Sequence, residues 1–346
     1  MKKFIISIAL SMFFISCSED DDNQNSPSII NPNYDKVVIV NEGNFQTANS
    51  SISVYTREDN QINNGLFSAN NANRPLGDLA QSMVKIDSRF FIVVNNSNKI
   101  EAVNATDFSS VGSIDPITQP RFMLPINGQK AYVTESNFTA SGNIYVINTT
   151  NYTIEKTIPT AGWTEEMTLV NNRVFVSNVF ANEVWVYDAD QDTIIAKIPT
   201  NKQPQKMVVD INGKVWVACT GGFNDGNPAL VQIDPNNLSI IKTLELNDNT
   251  KSISELKINS SKDELVYILD DVFKISIMDT ALATVPIITK GARSFYALGV
   301  DPRNDDIYLS DALDFVQKGV IYRFDKNGTE LFNFKAEIIP GEFFFE

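Results

Sequence analysis

A short run of branched and aromatic residues recurs seven times between residues 38 and 310, and this repeat limits the possible folds more than any other feature. Aligned on equivalent residues, consecutive copies stand 39 to 54 residues apart. Short strands at such a period are typical of propeller blades, and no helical periodicity is visible over these segments. We call these runs the anchor strands; they occupy residues 38–41, 92–95, 131–134, 174–177, 215–218, 266–269 and 307–310.

Further strands are expected around each anchor strand. An alternating strand, a turn and an outer strand follow it, as in residues 143–148 and 153–159. An innermost strand precedes six of the anchors, at residues 81–84, 120–123, 165–168, 204–207, 254–257 and 294–297. The pattern therefore predicts blades of four strands.

The first anchor strand has no innermost strand before it, and the missing piece is expected at the other end of the chain. Residues 339–345 share a Pro-x-x-apolar shape with residues 119–123 and 203–207. The alternative, a frayed tail, would expose three phenylalanines, whereas a ring that closes leaves no open sheet edge. We therefore predict an all-β fold, a seven-bladed β-propeller over residues 36–346, in which the C-terminal strand completes the first blade.

The first residues have the pattern of a signal peptide. Lys2 and Lys3 precede an apolar run, residues 4–15, which ends in Ser16 and Cys17. The run is shorter than the roughly 20 apolar residues that a membrane span needs. We predict a signal peptide over residues 1–16; the alternative, a buried first helix, fits poorly because a polar acidic stretch follows at once.

Composition narrows the possible functions. The net charge is −14, and loss of residues 1–16 would remove two lysines and no acids, so we expect no nucleic-acid partner. There is no histidine, which excludes the usual catalytic triads and most zinc sites. Of the two cysteines, Cys219 lies in an apolar run and is predicted to be buried and inert.

Residues 14–17 resemble a bacterial lipobox, although Phe14 stands where Leu is usual. The resemblance implies that Cys17 carries the lipid. Residues 18–22 are similar to the acidic signal that sends Bacteroidota lipoproteins to the outer face of the outer membrane, and a solvated acidic linker is the alternative. We expect residues 17–35 to be a flexible tether and the protein to be surface-exposed, held to the membrane through lipid only.

The repeat itself, for example residues 130–134 followed by 143–147, resembles the YncE-like (YVTN-type) propeller family. Together with the lipobox, it is similar to propeller lipoproteins of Bacteroidota. One branch of these, the BtuG-type proteins, captures vitamin B12 over a TonB-dependent outer-membrane transporter. The resemblance therefore implies a cobamide as a possible ligand and such a transporter as a possible partner, but a repeat specifies fold better than ligand.

The candidate site is a set of loops that enter the innermost strands or leave the anchor strands, since these meet on one face of a propeller. Several combine an aromatic residue with amides or acids, which favours recognition of a small polar ligand, either cobamide-like or a glycan. The alternative is that each aromatic packs on the neighbouring blade. The candidate rim residues are Asn44, Phe45, Phe138, Trp163, Glu165, Phe180, Phe223, Asp225 and Phe315.

Catalysis and metal binding are weaker alternatives. Asp225, Asp270, Asp271 and Asp311 could supply oxygens to calcium, but no dense acidic loop occurs, so no metal or other cofactor is predicted. A lyase or lactonase would depend on Glu165 and Glu166, and neighbours on a strand are expected to point to opposite faces. We predict a protein that is not an enzyme: a ligand-binding module, or alternatively a protein–protein interaction scaffold at the outer membrane.

Overall fold

A computed structural model describes residues 35–222 and 224–346. The predicted signal peptide, Cys17 and nearly all of the predicted tether lie outside these residues, as does Phe223. The described chain forms seven antiparallel sheets arranged in a ring, which confirms the predicted all-β, seven-bladed propeller. Within this part of the chain, no helix is long and apolar enough to cross a membrane.

The strands follow one another in chain order around the ring. Blade 1 begins with β1 (Lys36–Asn41), β2 (Ser51–Thr56) and β3 (Gln61–Asn63), and the short helix α1 (Leu66–Asn70) leads to the next blade. Blade 2 holds β4 (Ala80–Ile86), β5 (Arg89–Val94), β6 (Lys99–Asn104) and β7 (Ser110–Ile114). Blade 3 holds β8 (Pro120–Pro125), β9 (Lys130–Glu135), β10 (Gly142–Asn148) and β11 (Thr153–Thr160).

The second half of the ring repeats this order. Blade 4 holds β12 (Thr164–Val170), β13 (Arg173–Asn178), β14 (Glu183–Asp188) and β15 (Thr193–Pro199). Blade 5 holds β16 (Pro204–Val209), β17 (Val215–Cys219), β18 (Ala229–Asp234) and β19 (Ser239–Glu245). Blade 6 holds β20 (Glu255–Ile258), β21 (Glu264–Leu269) and β22 (Asp271–Ser276), and blade 7 holds β23 (Phe295–Val300), β24 (Ile307–Asp311), β25 (Lys318–Phe324) and β26 (Glu330–Ile338). The last strand, β27 (Pro340–Phe345), returns to blade 1.

The hydrophobic core lies between neighbouring blades. Phe91 and Ile100 of blade 2, for example, pack with Ala131 and Val133 of blade 3. An anchor strand is therefore covered on both sheet faces, which explains why these strands are apolar throughout rather than alternating. Burial also fits the prediction for Cys219, which lies in the fully buried strand β17; desolvation raises the pKa of its thiol to about 12.

The ring closes as predicted. Strand β27 pairs antiparallel with β1, so that Ile39 lies opposite Phe343 and Val38 opposite Phe344. The rings of Phe343 and Phe345 lie against Tyr308 of blade 7, while Phe344 packs against blade 2. The closing strand thus fills the gaps on both sides of blade 1.

Blade 6 departs from the expected four strands. Its sheet has three, and the outer position is taken by an irregular segment that pairs with β22 through a bridge between Val272 and Ile288. The chain after β22 contains no alternating run and includes Pro286, so it cannot form a regular outer strand. Ile277 and Ile288 instead fill the core from this segment.

The two ends of the ring differ. Connections that leave the anchor strands meet connections that enter the innermost strands at one end, which we call the loop face; there the backbone nitrogen of Val179 donates to the oxygen of Trp163 at 3.0 Å. The opposite end, the turn face, holds short turns such as residues 325–329. Because β1 runs from the turn face toward the loop face, Asp35 enters the propeller on the turn face.

Candidate functional site

Among the described residues, exposed aromatic side chains are confined to the loop face. Within the described residues, the strongly exposed aromatics are Phe45, Phe138, Phe180 and Phe315, which leave 47 to 75% of their surface accessible. All four lie in connections that leave anchor strands, in blades 1, 3, 4 and 7. Apolar rings in water cost free energy, so their restriction to one end of the described residues makes that end the candidate recognition surface.

Three of the predicted rim residues form one group, which we call the aromatic cluster: Phe138, Trp163 and Phe180. The ring centroids of Phe138 and Trp163 lie 5.3 Å apart. Phe180 packs over Gly162, whose φ is +67° and whose added Cβ would lie 2.8 Å from Cγ of Phe180. The glycine therefore lets the loop before β12 pass directly beneath the ring.

A second group joins blades 1 and 7. The side-chain amide of Asn44 donates to the backbone oxygen of Phe315, and the ring of Phe315 lies edge-on to Tyr296 with centroids 5.7 Å apart. The hydroxyl of Tyr296 donates to Glu42 at 3.0 Å. The predicted residues Asn44 and Phe315 are thus in direct contact, and they connect the rim to the centre of the ring.

The remaining predicted residues are placed differently. Asp225 is exposed on blade 5 and forms an ion pair of 2.9 Å with Lys202, apart from the other two groups. Glu165 lies on β12, in the innermost strand predicted at residues 165–168, where it is buried and pairs with Arg121 at 2.7 Å. It also accepts a hydrogen bond from the indole nitrogen of Trp163, so it lies directly below the aromatic cluster.

A polar cavity of about 240 Å³ opens at the centre of the loop face. Its size is close to the lower end of small-molecule sites. Every blade contributes to its wall, and the contributing residues include Glu42, Gln81, Arg121, Glu165, Gln205, Glu255 and Tyr296. A ligand here would therefore touch the whole ring at once.

Below this cavity, a second space of only about 20 Å³ lies among charged side chains. Such a space holds about one water molecule. Lys206 lines both spaces and pairs with Glu255 at 2.8 Å and with Glu166 at 3.4 Å. The ion pairs narrow the channel at this level, so the central cavity is accessible to a ligand from the loop face.

Several of these groups have shifted pKa values. Burial raises the pKa of Glu42 to about 7, although the hydrogen bond from Tyr296 opposes the shift. Burial likewise raises the pKa of Glu342, which accepts a hydrogen bond from the backbone of Met83, to about 7. Burial disfavours the charged form of Lys206, but Glu255 and Glu166 outweigh this effect and hold its pKa above the usual range.

Glu165 and Glu166 turn to opposite neighbours of β12, as expected: Glu165 pairs with Arg121 of blade 3, whereas Glu166 accepts a hydrogen bond from the backbone nitrogen of Met207 of blade 5 at 2.9 Å. Glu165 lines the upper cavity and Glu166 the lower space, so both reach the central channel. The pairing of β12 with β13 shifts register between Thr164 and Met167. Such a bulge re-aims side chains, and here two carboxylates that turn to opposite neighbours both line the channel.

Sequence reasoning missed most of the central cavity, including Gln81, Arg121, Gln205 and Tyr296. A signal was present, because the innermost strands carry charged and amide residues where the anchor strands are apolar. Among the described residues, no group of three or more acidic or cysteine side chains could hold a metal ion. Of the acids considered for calcium, Asp270 pairs with Lys251 and Lys290, while Asp311 is buried in blade 7.

A family model matches residues 35–345, which is almost the whole described chain. Its description reads "Domain of unknown function (DUF5074)". A search of curated proteins found no match.

Solved structures share the fold at low sequence identity. A quinoprotein alcohol dehydrogenase-like protein from Bacteroides thetaiotaomicron has a TM-score of 0.71 at 13% identity, over 90% of this chain and 78% of that one. A protein from Lactobacillus plantarum has a TM-score of 0.66 at 11% identity, over 90% and 99% of the two chains. A functionally unknown protein from Desulfotomaculum acetoxidans has a TM-score of 0.65 at 13% identity, over 90% and 98%. These likenesses support the propeller fold alone.

Proposed function

This chain belongs to the DUF5074 domain family, and from that premise we propose that it is a non-catalytic, surface-anchored propeller that captures a small polar molecule on its loop face. The observation that carries the proposal is the restriction of the exposed phenylalanines to the rim of a polar cavity. Binding sites commonly combine aromatic walls with a few placed polar groups. Here Phe138 and Trp163 form an aromatic surface beside the cavity, and Arg121 and Glu165, which line the cavity, supply polar groups.

The charges in the cavity favour a ligand that is polar but nearly neutral. Arg121 is paired with Glu165, and Lys206 with Glu255, so neither cation is available to a strongly anionic ligand without loss of a partner. Burial keeps part of the Glu42 population protonated near neutral pH, since its pKa is about 7. A hydroxyl- or amide-bearing molecule with an apolar body, such as a cobamide or a glycan, fits these properties.

The cellular role is proposed from the resemblances in the sequence. A lipid on Cys17 and a tether over residues 17–35 would hold the protein to the outer surface of the outer membrane. Asp35 enters on the turn face, so the loop face lies at the end of the ring opposite the tether's entry. As in the BtuG-type proteins that the sequence resembles, captured ligand would pass to a TonB-dependent transporter.

One observation favours a second function, a protein–protein interaction scaffold. The outer strands of neighbouring blades expose isoleucines, including Ile194 and Ile195 on β15 and Ile240 and Ile241 on β19. Exposed apolar side chains grouped on one flank are typical of a surface that meets another protein. A scaffold would use this flank, whereas ligand capture would use the loop face.

Tryptophan fluorescence can test ligand capture, because Trp163 lies in the aromatic cluster while the other two tryptophans, Trp185 and Trp216, are buried. Purified protein is titrated with cyanocobalamin and with neutral oligosaccharides. We expect a saturable change in emission with at least one of them, and its loss in Trp163→Phe. Phe138→Ala should weaken the binding about tenfold, in line with the loss of an aromatic contact.

Ile195→Ala is the matched control, since it removes an exposed apolar side chain from an outer strand rather than from the rim. It should leave ligand binding unchanged. Absence of binding to every ligand, or an equal loss in Phe138→Ala and Ile195→Ala, would count against capture at the loop face. Co-purification with an outer-membrane protein that Ile195→Ala abolishes would instead favour the scaffold.

A further inference from the structure

A second cavity of about 270 Å³ lies on the loop face between blades 5 and 6, and we call it the side cleft. Gln205 and Ser254 line both the side cleft and the central cavity. The two spaces are therefore neighbours, separated by no more than these side chains. A ligand longer than one ring could occupy both.

The wall of the side cleft is built from amides and hydroxyls. Its lining includes Gln203, Asn224, Asn249, Thr250, Ser252 and Ser254, together with the lysine Lys251. No aliphatic or aromatic side chain belongs to the described lining. This composition differs from that of the aromatic cluster, so the two sites suit different parts of a ligand.

Several of these polar side chains are available for hydrogen bonds to a ligand. In the described part of the chain, the side chains of Gln205, Asn249 and Ser252 make no hydrogen bond to another protein group. By contrast, Thr220 donates to Gln203 at 3.1 Å, and Thr250 donates to Asp248 at 2.6 Å. The contacts of Thr220 and Thr250 hold the loops in place. The side chains of Gln205, Asn249 and Ser252 remain available to a ligand with alternating donors and acceptors.

The cations near the side cleft are already compensated. Lys251 pairs with Asp270, which also pairs with Lys290, and Lys202 pairs with Asp225. An anionic ligand would have to compete with these carboxylates. An uncharged ligand meets no such competition and can use the amides and hydroxyls directly.

The backbone around the side cleft is held in place before any ligand binds. The backbone nitrogen of Gly221 donates to the oxygen of Lys202 at 3.0 Å, and that of Thr220 donates to the oxygen of Gln203 at 3.0 Å. Gly221 has a φ of +87° and lies so close to residues 226–228 that an added Cβ would overlap their backbone. A preformed cleft reduces the entropy lost on binding.

We propose that the side cleft is a subsite for an uncharged, polyhydroxylated ring of an extended ligand, such as a sugar unit of an oligosaccharide whose next unit occupies the central cavity. This inference rests on the proposed function and names the ligand class of that same face. Gln205 and Ser254, at the junction, would contact both units. Asn249 and Ser252 would contact only the unit in the side cleft.

The test is calorimetric titration of the full chain with neutral hexasaccharides of glucose, galactose, mannose or xylose, and with hexagalacturonate as the anionic counterpart of the galactose series. At least one neutral hexasaccharide should bind. The double variant Asn249→Ala/Ser252→Ala should weaken it about tenfold or more, because two hydrogen-bonding groups are lost. Asn327→Ala/Ser260→Ala removes the same two residue types from turn-face turns and should leave the affinity unchanged.

The other outcomes count against the side-cleft inference alone or against both proposals. Binding of cyanocobalamin that quenches Trp163, with no binding of any neutral hexasaccharide, would overturn the side-cleft inference and leave ligand capture standing. Preference for hexagalacturonate, or hexasaccharide binding that Asn249→Ala/Ser252→Ala does not weaken, would also overturn the inference. Failure of both ligand classes would count against both proposals.

Discussion

The ring of Phe344, two residues from the end of the chain, lies edge-on against Phe90 of blade 2, with ring centroids 5.2 Å apart and planes 80° apart. Phe344 belongs to β27 and so pairs with β1 of blade 1 through its backbone while its side chain reaches the neighbouring blade. A single residue thus connects the last strand, the first strand of the propeller and the second blade.

Phe344→Ala should therefore lower the free energy of unfolding of the whole propeller by about 2 kcal/mol, a reduced value for a half-buried phenylalanine. Urea unfolding followed by circular dichroism measures the change. Phe138→Ala, which removes an exposed ring, should change the stability by no more than about 0.5 kcal/mol. Equal effects of the two substitutions would contradict the account of closure.

Deletion of residues 341–346 extends this test. Without the closing strand, β1 has an unpaired edge and Tyr308 loses the rings of Phe343 and Phe345. We expect one cooperative unfolding transition at lower urea concentration, together with a greater tendency to aggregate through the open edge. If the deletion variant unfolds at the same urea concentration as the full chain, β27 is not needed to close the ring.

Glu342 makes stability depend on pH. Burial raises its pKa in the folded protein to about 7, above its ordinary value of 4.5, so the folded state holds a proton that the unfolded chain has released between these values. Its contribution to stability is thus complete below about pH 4.5 and is lost as the pH rises to about 7. Glu342→Gln keeps an oxygen that can accept the hydrogen bond from Met83 and removes the titration.

At pH 8 we expect the free energy of unfolding of Glu342→Gln to exceed that of the unsubstituted chain by about 1–3 kcal/mol. Near pH 4.5 the two free energies should be equal. Unfolding curves measured from pH 4.5 to 8 give the two profiles. Glu337→Gln, on an outer strand of blade 7, is the control and should leave the profile unchanged. Parallel profiles for Glu342→Gln and the unsubstituted chain would contradict the prediction.

Arg121 and Glu165 should be coupled. Arg121→Met leaves the buried carboxylate of Glu165 with the hydrogen bond from Trp163 but without its cation, and we expect a loss of about 1–3 kcal/mol. Arg121→Met/Glu165→Gln removes the charge as well and should recover part of that loss. A double-mutant cycle in urea gives the coupling free energy, and strictly additive effects would show that the pair contributes nothing.

Gly162→Ala should disturb the aromatic cluster. A Cβ at this residue would lie 2.5 Å from the backbone oxygen of Thr139 and 2.8 Å from Cγ of Phe180, at a φ that alanine rarely adopts. We expect a loss of stability of about 1 kcal/mol or more and a shifted emission of Trp163. Gly128→Ala is the control, because an added Cβ meets nothing within 4 Å there, and it should leave the emission unchanged.

The sequence was sufficient to predict the ring because its information is local and repeated. Each anchor strand is covered on both faces and therefore shows as a continuous apolar run, such as Val37 to Val40. The closing strand was predictable because three consecutive phenylalanines would otherwise be exposed. Blade 6 was predicted wrongly, since Ile277 and Ile288 enter the core from a segment with no strand pattern.

The candidate site was harder to predict because it depends on distances between blades. The rim aromatics could be found, since exposed phenylalanines in polar loops are conspicuous in a sequence. That Phe138 and Trp163 touch, and that Glu165 pairs with Arg121, follows only from the order of blades around the axis. The bulge between Thr164 and Met167, where Glu165 turns to blade 3 and Glu166 to blade 5, leaves no recognisable pattern in the sequence.

The pairing of the first strand with the last has a consequence in time. Residues 36 and 346 exchange backbone hydrogen bonds of 3.2 and 2.9 Å, so the earliest part of the domain to be synthesised has to wait for the final residue before its sheet is complete. Contacts of such sequence separation form late and slowly. Until then, β1 of the nascent chain lacks its partner strand β27. Premature termination anywhere before residue 340 would yield a product that cannot complete the ring.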